Sequence, residues 1–139
     1  MSITLTTTNY KEVLQESTVH QIEELIHENY DLECMLEFID EYNEQDFIKH
    51  YETYVSLGEE YSYEAVDAFL QYHEDASLLY YFKDAYVGCY SDVEEFTQEY
   101  YDERYDIPVG LCIDWTETWN RNLKYDYQMI DNFIFRRNF

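Results

Sequence analysis

Residues 92 to 106, DVEEFTQEYYDERYD, combine the apolar spacing of a helix with seven acids and a single Arg. Val93, Phe96 and Tyr100 recur at i, i+3 and i+7, which predicts one buried helical face. Ser91 precedes them and is the predicted N-cap of this helix. Like charges at i, i+4 destabilise a helix by about 0.2–0.5 kcal/mol per pair. Folding alone therefore gives no reason to retain so many acids in this segment.

The acids of this segment recur in steps of three and four residues, so we expect them to form one exposed stripe along the helix. The stripe consists of Asp92, Glu95, Glu99, Asp102 and Asp106, with Glu103 beside it. No Lys interrupts the stripe, and Arg104 is the one base within the segment. A basic partner outside the chain would relieve the repulsion.

The rest of the chain is acidic as well, with 31 Asp and Glu against 8 Lys and Arg and a net charge of -23 over 139 residues. Its hydrophobic content of 46% excludes a disordered acidic tail. The length allows one compact domain or two small subdomains. Because phosphate contacts need clustered Lys and Arg, we do not expect the chain to bind nucleic acid. An anionic membrane would also repel it.

Targeting signals and cysteines bear on location. The sequence has no apolar run near the length of a membrane span and no signal-peptide pattern, so we expect a soluble, cytoplasmic protein. Cys34, Cys89 and Cys112 are odd in number and widely spaced, which favours buried, reduced thiols over a disulfide framework.

Hydrophobic periodicity predicts an α+β fold that is mainly helical. We expect an acidic helical subdomain at 1–75, built as a small bundle, and an α+β subdomain at 76–139 that combines a helix with a short antiparallel sheet. The second subdomain should end in a β-hairpin that turns at Asp131-Asn132. Residues 1–10 are interpreted as an extended arm or a short edge strand.

Helix boundaries in the first subdomain follow from capping residues. The predicted N-caps are Thr18, Asp31, Asn43 and Ser62. Gly58 is expected to end the helix that begins after Asn43, because Gly readily adopts the left-handed conformation that closes a helix.

Catalytic and metal-binding motifs are absent from the sequence. There is no GxGxxG, GxxxxGK[ST] or GxSxG, and the whole chain has only 3 Gly for phosphate or oxyanion loops. The four His residues do not form HExxH, and no CxxC occurs. We therefore expect no catalytic residues, no metal and no cofactor. A small carboxylate enzyme stays open as an alternative, because some pair among 31 carboxylates will lie at glycosidase separation.

Tyr is unusually abundant, at 17 residues, and suits either the edge of a core or a protein interface. The segment 66–81 is the candidate for self-association, with core packing as the alternative. Its candidate contact residues are Phe69, Leu70, Tyr72, Leu78, Leu79 and Tyr81.

The net charge can be compared with that of DNA. Duplex DNA carries one charge per about 1.7 Å, so a charge of -23 corresponds to about 39 Å of duplex. A compact domain of 139 residues has a diameter of about 37 Å. Rigid carboxylates at helical spacing could thus replace phosphates in a basic DNA-binding groove. The predicted phosphate surrogates are Asp92, Glu95, Glu99, Asp102, Glu103, Asp106, Glu23, Glu24, Glu28, Glu33, Glu37, Asp40, Glu41 and Glu44.

Other functions fit an acidic surface too. One is an acidic adaptor or chaperone that shields a basic protein, and another is a mimic directed at a different DNA-binding defence or nucleoid protein. A merely solvated acidic surface, as in halophilic proteins, is the simplest alternative.

Two segments, FKDAYVGCYSDVEEFTQEYYDE (82–103) and IDWTETWNRNLKYDYQMIDNFIFR (113–136), resemble the C-terminal region of ArdA-type antirestriction proteins. Residues 38–75 look like the acidic middle domain of that family. The matching positions are Tyr86, Gly88, Tyr90, Ser91, Glu94, Phe96, Glu99, Asp114, Trp115, Leu123, Phe135 and Arg136.

The resemblance implies a homodimeric DNA mimic that occupies the DNA-binding cleft of a type I restriction-modification enzyme. It also implies a phage or another mobile element as the source, and a bacterial host cell as the location. The family's β-rich N-terminal domain has no counterpart, so a shortened form is expected. Trp115, Trp119, Asn120 and Asn122 depart from parts of the family pattern.

Overall fold

The computed structural model of the protein describes residues 5 to 139. The first four residues of the predicted N-terminal arm lie outside the described residues. From residue 5 onward the arm is not a strand, because the backbone turns at Thr6–Asn9 and the first helix begins at Tyr10. The chain divides into two compact units, Met1–Glu60 and Tyr61–Phe139. The predicted boundary at 75/76 falls within the second unit.

The described part of the first unit is helical. It consists of α1 (Tyr10–Val13), α2 (Glu16–His27), α3 (Leu32–Glu41) and α4 (Glu44–Glu60). Asp31 caps α3, because its carboxylate accepts the backbone N–H of Glu33 at 2.8 Å. Asn43 caps α4 by accepting the N–H of Asp46 at 2.7 Å. These two predicted caps are confirmed.

Two predicted helix boundaries in the first unit are wrong. Thr18 does not cap α2, which begins two residues earlier at Glu16, and its side chain is buried within the helix. The first turn of α2 is polar, so the apolar periodicity did not indicate where the helix begins. Gly58 does not end a helix, because α4 continues without a left-handed residue to Glu60.

Aromatic rings fill much of the core of the first unit. The ring of Phe38 lies 4.8 Å from the ring of Tyr54 and 5.2 Å from that of Tyr51, and Phe47 lies 5.1 Å from Tyr51. This cluster joins α3 to α4, and the buried Ile22 and Leu25 of α2, together with Met35 of α3, extend the core. Ile26 of α2 and Ile48 of α4 are exposed, so not every apolar residue of these helices joins the core.

The second unit combines helices with a sheet. Its elements are α5 (Tyr63–His73), a 3-10 helix (Ala76–Tyr81), α6 (Phe82–Ala85), β1 (Tyr86–Cys89), α7 (Val93–Arg104), α8 (Trp115–Arg121), a 3-10 turn (Leu123–Tyr125), β2 (Tyr127–Ile130) and β3 (Phe133–Arg136). The predicted cap at Ser62 is confirmed, because its hydroxyl accepts the N–H of Ala65 at 3.4 Å. The mainly helical α+β fold, with a helical N-terminal part and a C-terminal β-hairpin, is confirmed.

The sheet is antiparallel with the order β1-β3-β2, so β3 is the central strand. The hairpin turns at Asp131-Asn132 as predicted, and Asp131 has the left-handed φ of 55° that such a turn requires. β3 is apolar on both faces: Ile134 packs with Phe96 under α7, whereas Phe135 contacts Phe69 of α5 on the opposite face. One face of the sheet therefore packs against the buried face of α7.

Within residues 5–139, no helix has both the length and the apolar character needed to cross a membrane.

Candidate acidic interface

The start of α7 is fixed by side-chain hydrogen bonds to acids. Asp92 is the N-cap and accepts the N–H of Glu95 at 2.8 Å, so the predicted cap at Ser91 is wrong by one residue. Ser91 instead donates its N–H, at 2.9 Å, and its hydroxyl to the carboxylate of Glu95. These bonds lower the pKa of Glu95. Two of the predicted surrogates thus also hold the helix start in place.

The hairpin turn holds the same end of the helix. The backbone oxygen of Asn132 accepts the N–H of Tyr90 at 2.8 Å, and its side-chain amide donates to the backbone oxygens of Tyr90 and Ser91 at 3.1 and 3.3 Å. The direction in which α7 leaves the sheet is therefore set by the turn, a contact that sequence spacing did not indicate.

Five predicted surrogates lie on one exposed face of α7, which we call the α7 acid face: Asp92, Glu95, Glu99, Asp102 and Glu103. The buried face of α7 carries Phe96, which packs with Trp119 of α8. Asp106 is exposed but lies beyond the helix, because α7 ends at Arg104 and the backbone at Tyr105 is extended. The prediction that Asp106 continues the helical stripe is wrong.

Contacts within the chain leave the charge on the α7 acid face largely in place. Glu99 accepts a hydrogen bond from the phenol of Tyr90, and burial together with this bond raises the pKa of Tyr90 to about 12. Glu103 lies 3.9 Å from the guanidinium of Arg104. Among the described residues, no cationic side chain forms an ion pair with Glu99 or Asp102. The face is a row of exposed carboxylates, three of which accept hydrogen bonds from within the chain.

The first unit carries the other eight predicted surrogates, on α2 and its C-cap, on α3 and at the start of α4. They are Glu23, Glu24, Glu28, Glu33, Glu37, Asp40, Glu41 and Glu44. All are exposed except Glu44, which is half-buried and accepts the N–H of Gln15 at 2.9 Å. Glu44 therefore anchors the start of α2 in addition to any role at the surface. A weak exposed ion pair joins Glu23 to Lys11 at 3.8 Å, and the imidazole of His20 lies 3.1 Å from the carboxylate of Glu24.

The acids of α3 influence a neighbouring thiol. Partial burial and then the charges of Asp31, Glu37 and Glu33 raise the pKa of Cys34. Cys34, Cys89 and Cys112 are all exposed, so the expectation of buried thiols is wrong. Cys34 lies on α3, Cys89 ends β1 and Cys112 lies between α7 and α8, and their spacing in the sequence gave no information about burial.

The residues predicted for self-association divide into two groups. Phe69, Leu70 and Leu79 are buried in the core of the second unit, so they offer no surface to a second copy. Tyr72 and Tyr81 are exposed, at 55% and 48%, and Leu78 is half-buried. Core packing, the alternative interpretation, accounts for the three buried residues.

One surface feature was missed in the sequence. The rings of Tyr101 and Tyr105 are stacked at 5.6 Å with an interplanar angle of 24°, and Trp115 continues the row at 6.0 Å from Tyr101. We call these three rings the Tyr105 stack. The i, i+4 spacing of the two Tyr residues could have suggested the first contact, whereas the contact with Trp115 is long-range. Across residues 5–139, no cluster of three or more His, Cys, Asp or Glu is arranged to hold a metal.

Fold and surface together define a small, mainly helical α+β protein with acidic helix faces. No protein-family model matches the chain, and no match was found among curated proteins or among solved structures. The resemblance to ArdA-type antirestriction proteins stays a prediction that rests on the motifs quoted above.

Proposed function

We propose that the protein is a DNA mimic that inhibits a host DNA-binding enzyme by occupying its DNA-binding groove. The most direct target is a type I restriction-modification enzyme, which makes the protein an antirestriction factor in the evasion of host defence. In this proposal it acts in the bacterial cytoplasm as a homodimer, without catalysis and without a cofactor.

The α7 acid face carries this proposal. Its five acids span 12 residues from Asp92 to Glu103, and the 11 steps between these two ends amount to about 17 Å at the helical rise of about 1.5 Å per residue. Five charges leave four intervals, so the mean spacing along the axis is about 4 Å per charge, against about 3.4 Å per phosphate along one DNA strand. A groove that accepts one strand would meet a similar line of charge.

Rigidity supports the same interpretation. A mimic gains affinity when its acceptors are already fixed, because ordering flexible side chains on binding costs free energy. On the α7 acid face, the bonds of Asp92 and Glu95 to the helix start and the bond from Tyr90 to Glu99 fix three of the five carboxylates. The acidic faces of α2 and α3 supply further carboxylates in the first unit.

A competition assay tests the proposal. Labelled duplex DNA is bound to a purified type I restriction-modification enzyme, and the protein is added while fluorescence anisotropy is recorded. We expect displacement of the DNA that weakens steeply as salt rises. Failure to displace the DNA from this enzyme, and from any DNA-binding protein captured from host lysate and eluted with duplex DNA, would sink the proposal.

Matched variants locate the surface. The acid-face variant replaces Glu99→Gln, Asp102→Asn and Glu103→Gln, which leaves the capping acids intact. The control variant replaces three exposed acids of the same unit, Glu64→Gln, Asp84→Asn and Asp126→Asn, and so has the same net charge. Three exposed contacts at about 0.5 kcal/mol each amount to about a tenfold loss of affinity for the first variant. An equal loss in the control would indicate nonspecific attraction.

The adaptor alternative gives a different result in the same assay. An acidic adaptor that recognises charge without groove geometry should bind a basic protein that lacks a DNA groove, such as cytochrome c, as tightly as the restriction enzyme. It should also respond equally to both variants, since only the net charge would matter.

A further inference from the structure

We infer that the Tyr105 stack is a binding site for an arginine side chain of the basic partner. This inference rests on the proposed function, because it names how one residue of that partner is recognised. The rings of Tyr101 and Tyr105 are stacked, the ring of Trp115 is tilted by 32° from that of Tyr101, and the outermost ring, Tyr105, is 61% exposed. Among the described residues, no ring other than Tyr101 contacts Tyr105. One ring face is thus available to a planar cation.

The outer ring is held in place before any partner binds. The N–H of Tyr105 donates to the backbone oxygen of Tyr101 at 2.8 Å, which fixes the backbone below the ring. The hydroxyl of Tyr101 accepts the side-chain amide of Asn122 at 3.4 Å, and Thr116 of α8 is hydrogen-bonded to Glu94 of α7. The two helices that carry the stack are therefore tied to each other.

Charge complementarity selects a cation for this ring. Asp106 follows Tyr105 directly, and Asp102 and Glu103 precede it in the last turn of α7; all three are exposed. Rings attract cations through the negative potential over their faces, and neighbouring carboxylates add to that potential. An apolar or anionic partner would gain nothing from these acids.

The chain itself indicates arginine rather than lysine. One residue before Tyr105, the guanidinium of Arg104 lies 3.7 Å from the ring centroid of Tyr100. The Lys contacts of the same kind are looser, at 5.4 Å for Lys124 over Tyr125 and 5.9 Å for Lys11 over Tyr10. A guanidinium is planar and weakly hydrated, so it stacks on a ring face where an ammonium stays solvated.

Short oligoarginine and oligolysine peptides of equal length and charge test the inference by titration calorimetry. We expect the wild-type protein to bind oligoarginine about threefold more tightly than oligolysine. Tyr105→Ala should abolish this preference, whereas Tyr105→Phe should keep it. Tyr125→Ala is the matched control, because Tyr125 is 66% exposed and its ring already faces Lys124; the preference should survive there.

Equal binding of the two peptides by the wild type, or a preference that persists in Tyr105→Ala, would overturn the inference. Far-UV circular dichroism establishes that Tyr105→Ala is folded. The two tests can fail separately: equal binding of the two peptides by the wild type does not remove DNA displacement, and a failed displacement leaves the peptide preference measurable.

Discussion

Neutralising the C-terminal part of the α7 acid face is expected to stabilise the protein. Asp102 and Glu103 lie in the last turn of α7, next to the negative end of the helix dipole, where an acid costs about 0.3–1 kcal/mol. Glu99 and Glu103 are an i, i+4 pair of like charges that costs a further 0.2–0.5 kcal/mol or so, about what such pairs cost in isolated helices. The weak contact of Glu103 with Arg104 at 3.9 Å offsets part of this, and after Glu99→Gln the amide oxygen can still accept the hydrogen bond from Tyr90.

For the variant Glu99→Gln, Asp102→Asn and Glu103→Gln, the net gain in the free energy of unfolding is about 1 kcal/mol at low salt. For a chain of this length, that gain corresponds to a rise in Tm of about 3–6 °C. Thermal and urea unfolding followed by circular dichroism at about 0.01 M and about 1 M salt measures it, because screening at high salt should remove most of the difference.

The control variant Glu64→Gln, Asp84→Asn and Asp126→Asn should gain nothing at either salt concentration. Glu64 even lies in the first turn of α5, where an acid is favourable. The reasoning is refuted if the acid-face variant is less stable than the wild type at low salt, or if its gain persists unchanged at high salt. It is also refuted if the control gains as much.

Three further predictions concern individual groups. Glu33→Gln with Glu37→Gln should lower the pKa of Cys34 and speed its alkylation by iodoacetamide near neutral pH, as read by mass spectrometry; an unchanged rate would contradict the electrostatic cause. Burial lowers the pKa of His73, so its contribution to the free energy of unfolding should be complete above about pH 6.5 and fall as the pH drops below that value. Urea unfolding at several pH values should show a smaller fall for His73→Phe than for the wild type. An equally steep fall in both proteins would exclude His73 as its cause. The pKa of Tyr90 is raised to about 12, so stability should be lost as the pH rises from about 10 through that value, and Tyr90→Phe should lose less over this range than the wild type.

Local chemistry made part of the fold predictable. Asp31, Asn43 and Ser62 were identified as caps because a short polar side chain before an apolar pattern satisfies the first free N–H groups of a helix. The Asp131-Asn132 turn was equally local. Ser and Asp both cap helices, so the sequence alone does not distinguish Ser91 from Asp92, and the bond that Asp92 accepts from the N–H of Glu95 decides between them.

Long-range packing decided the rest. Phe69, Leu70 and Leu79 were candidates for self-association because the sequence pattern of an apolar stripe is the same whether the stripe packs in the core or against a second copy. Asp106 fits the three- and four-residue spacing of the acids in the sequence, but α7 ends at Arg104, so Asp106 does not share the helical face. The Tyr105 stack depends on Trp115 from another helix, which no local period indicates.

The charge on α7 is distributed unevenly with respect to its dipole. Acids at its beginning, among them the cap Asp92, favour the helix, whereas Asp102 and Glu103 at its end oppose it. Opening of the helix should therefore start from the C-terminal end, with amide protons there exchanging faster than those near the hairpin turn. A bound cationic surface would reverse that gradient, so hydrogen exchange along this one helix would record where a partner sits.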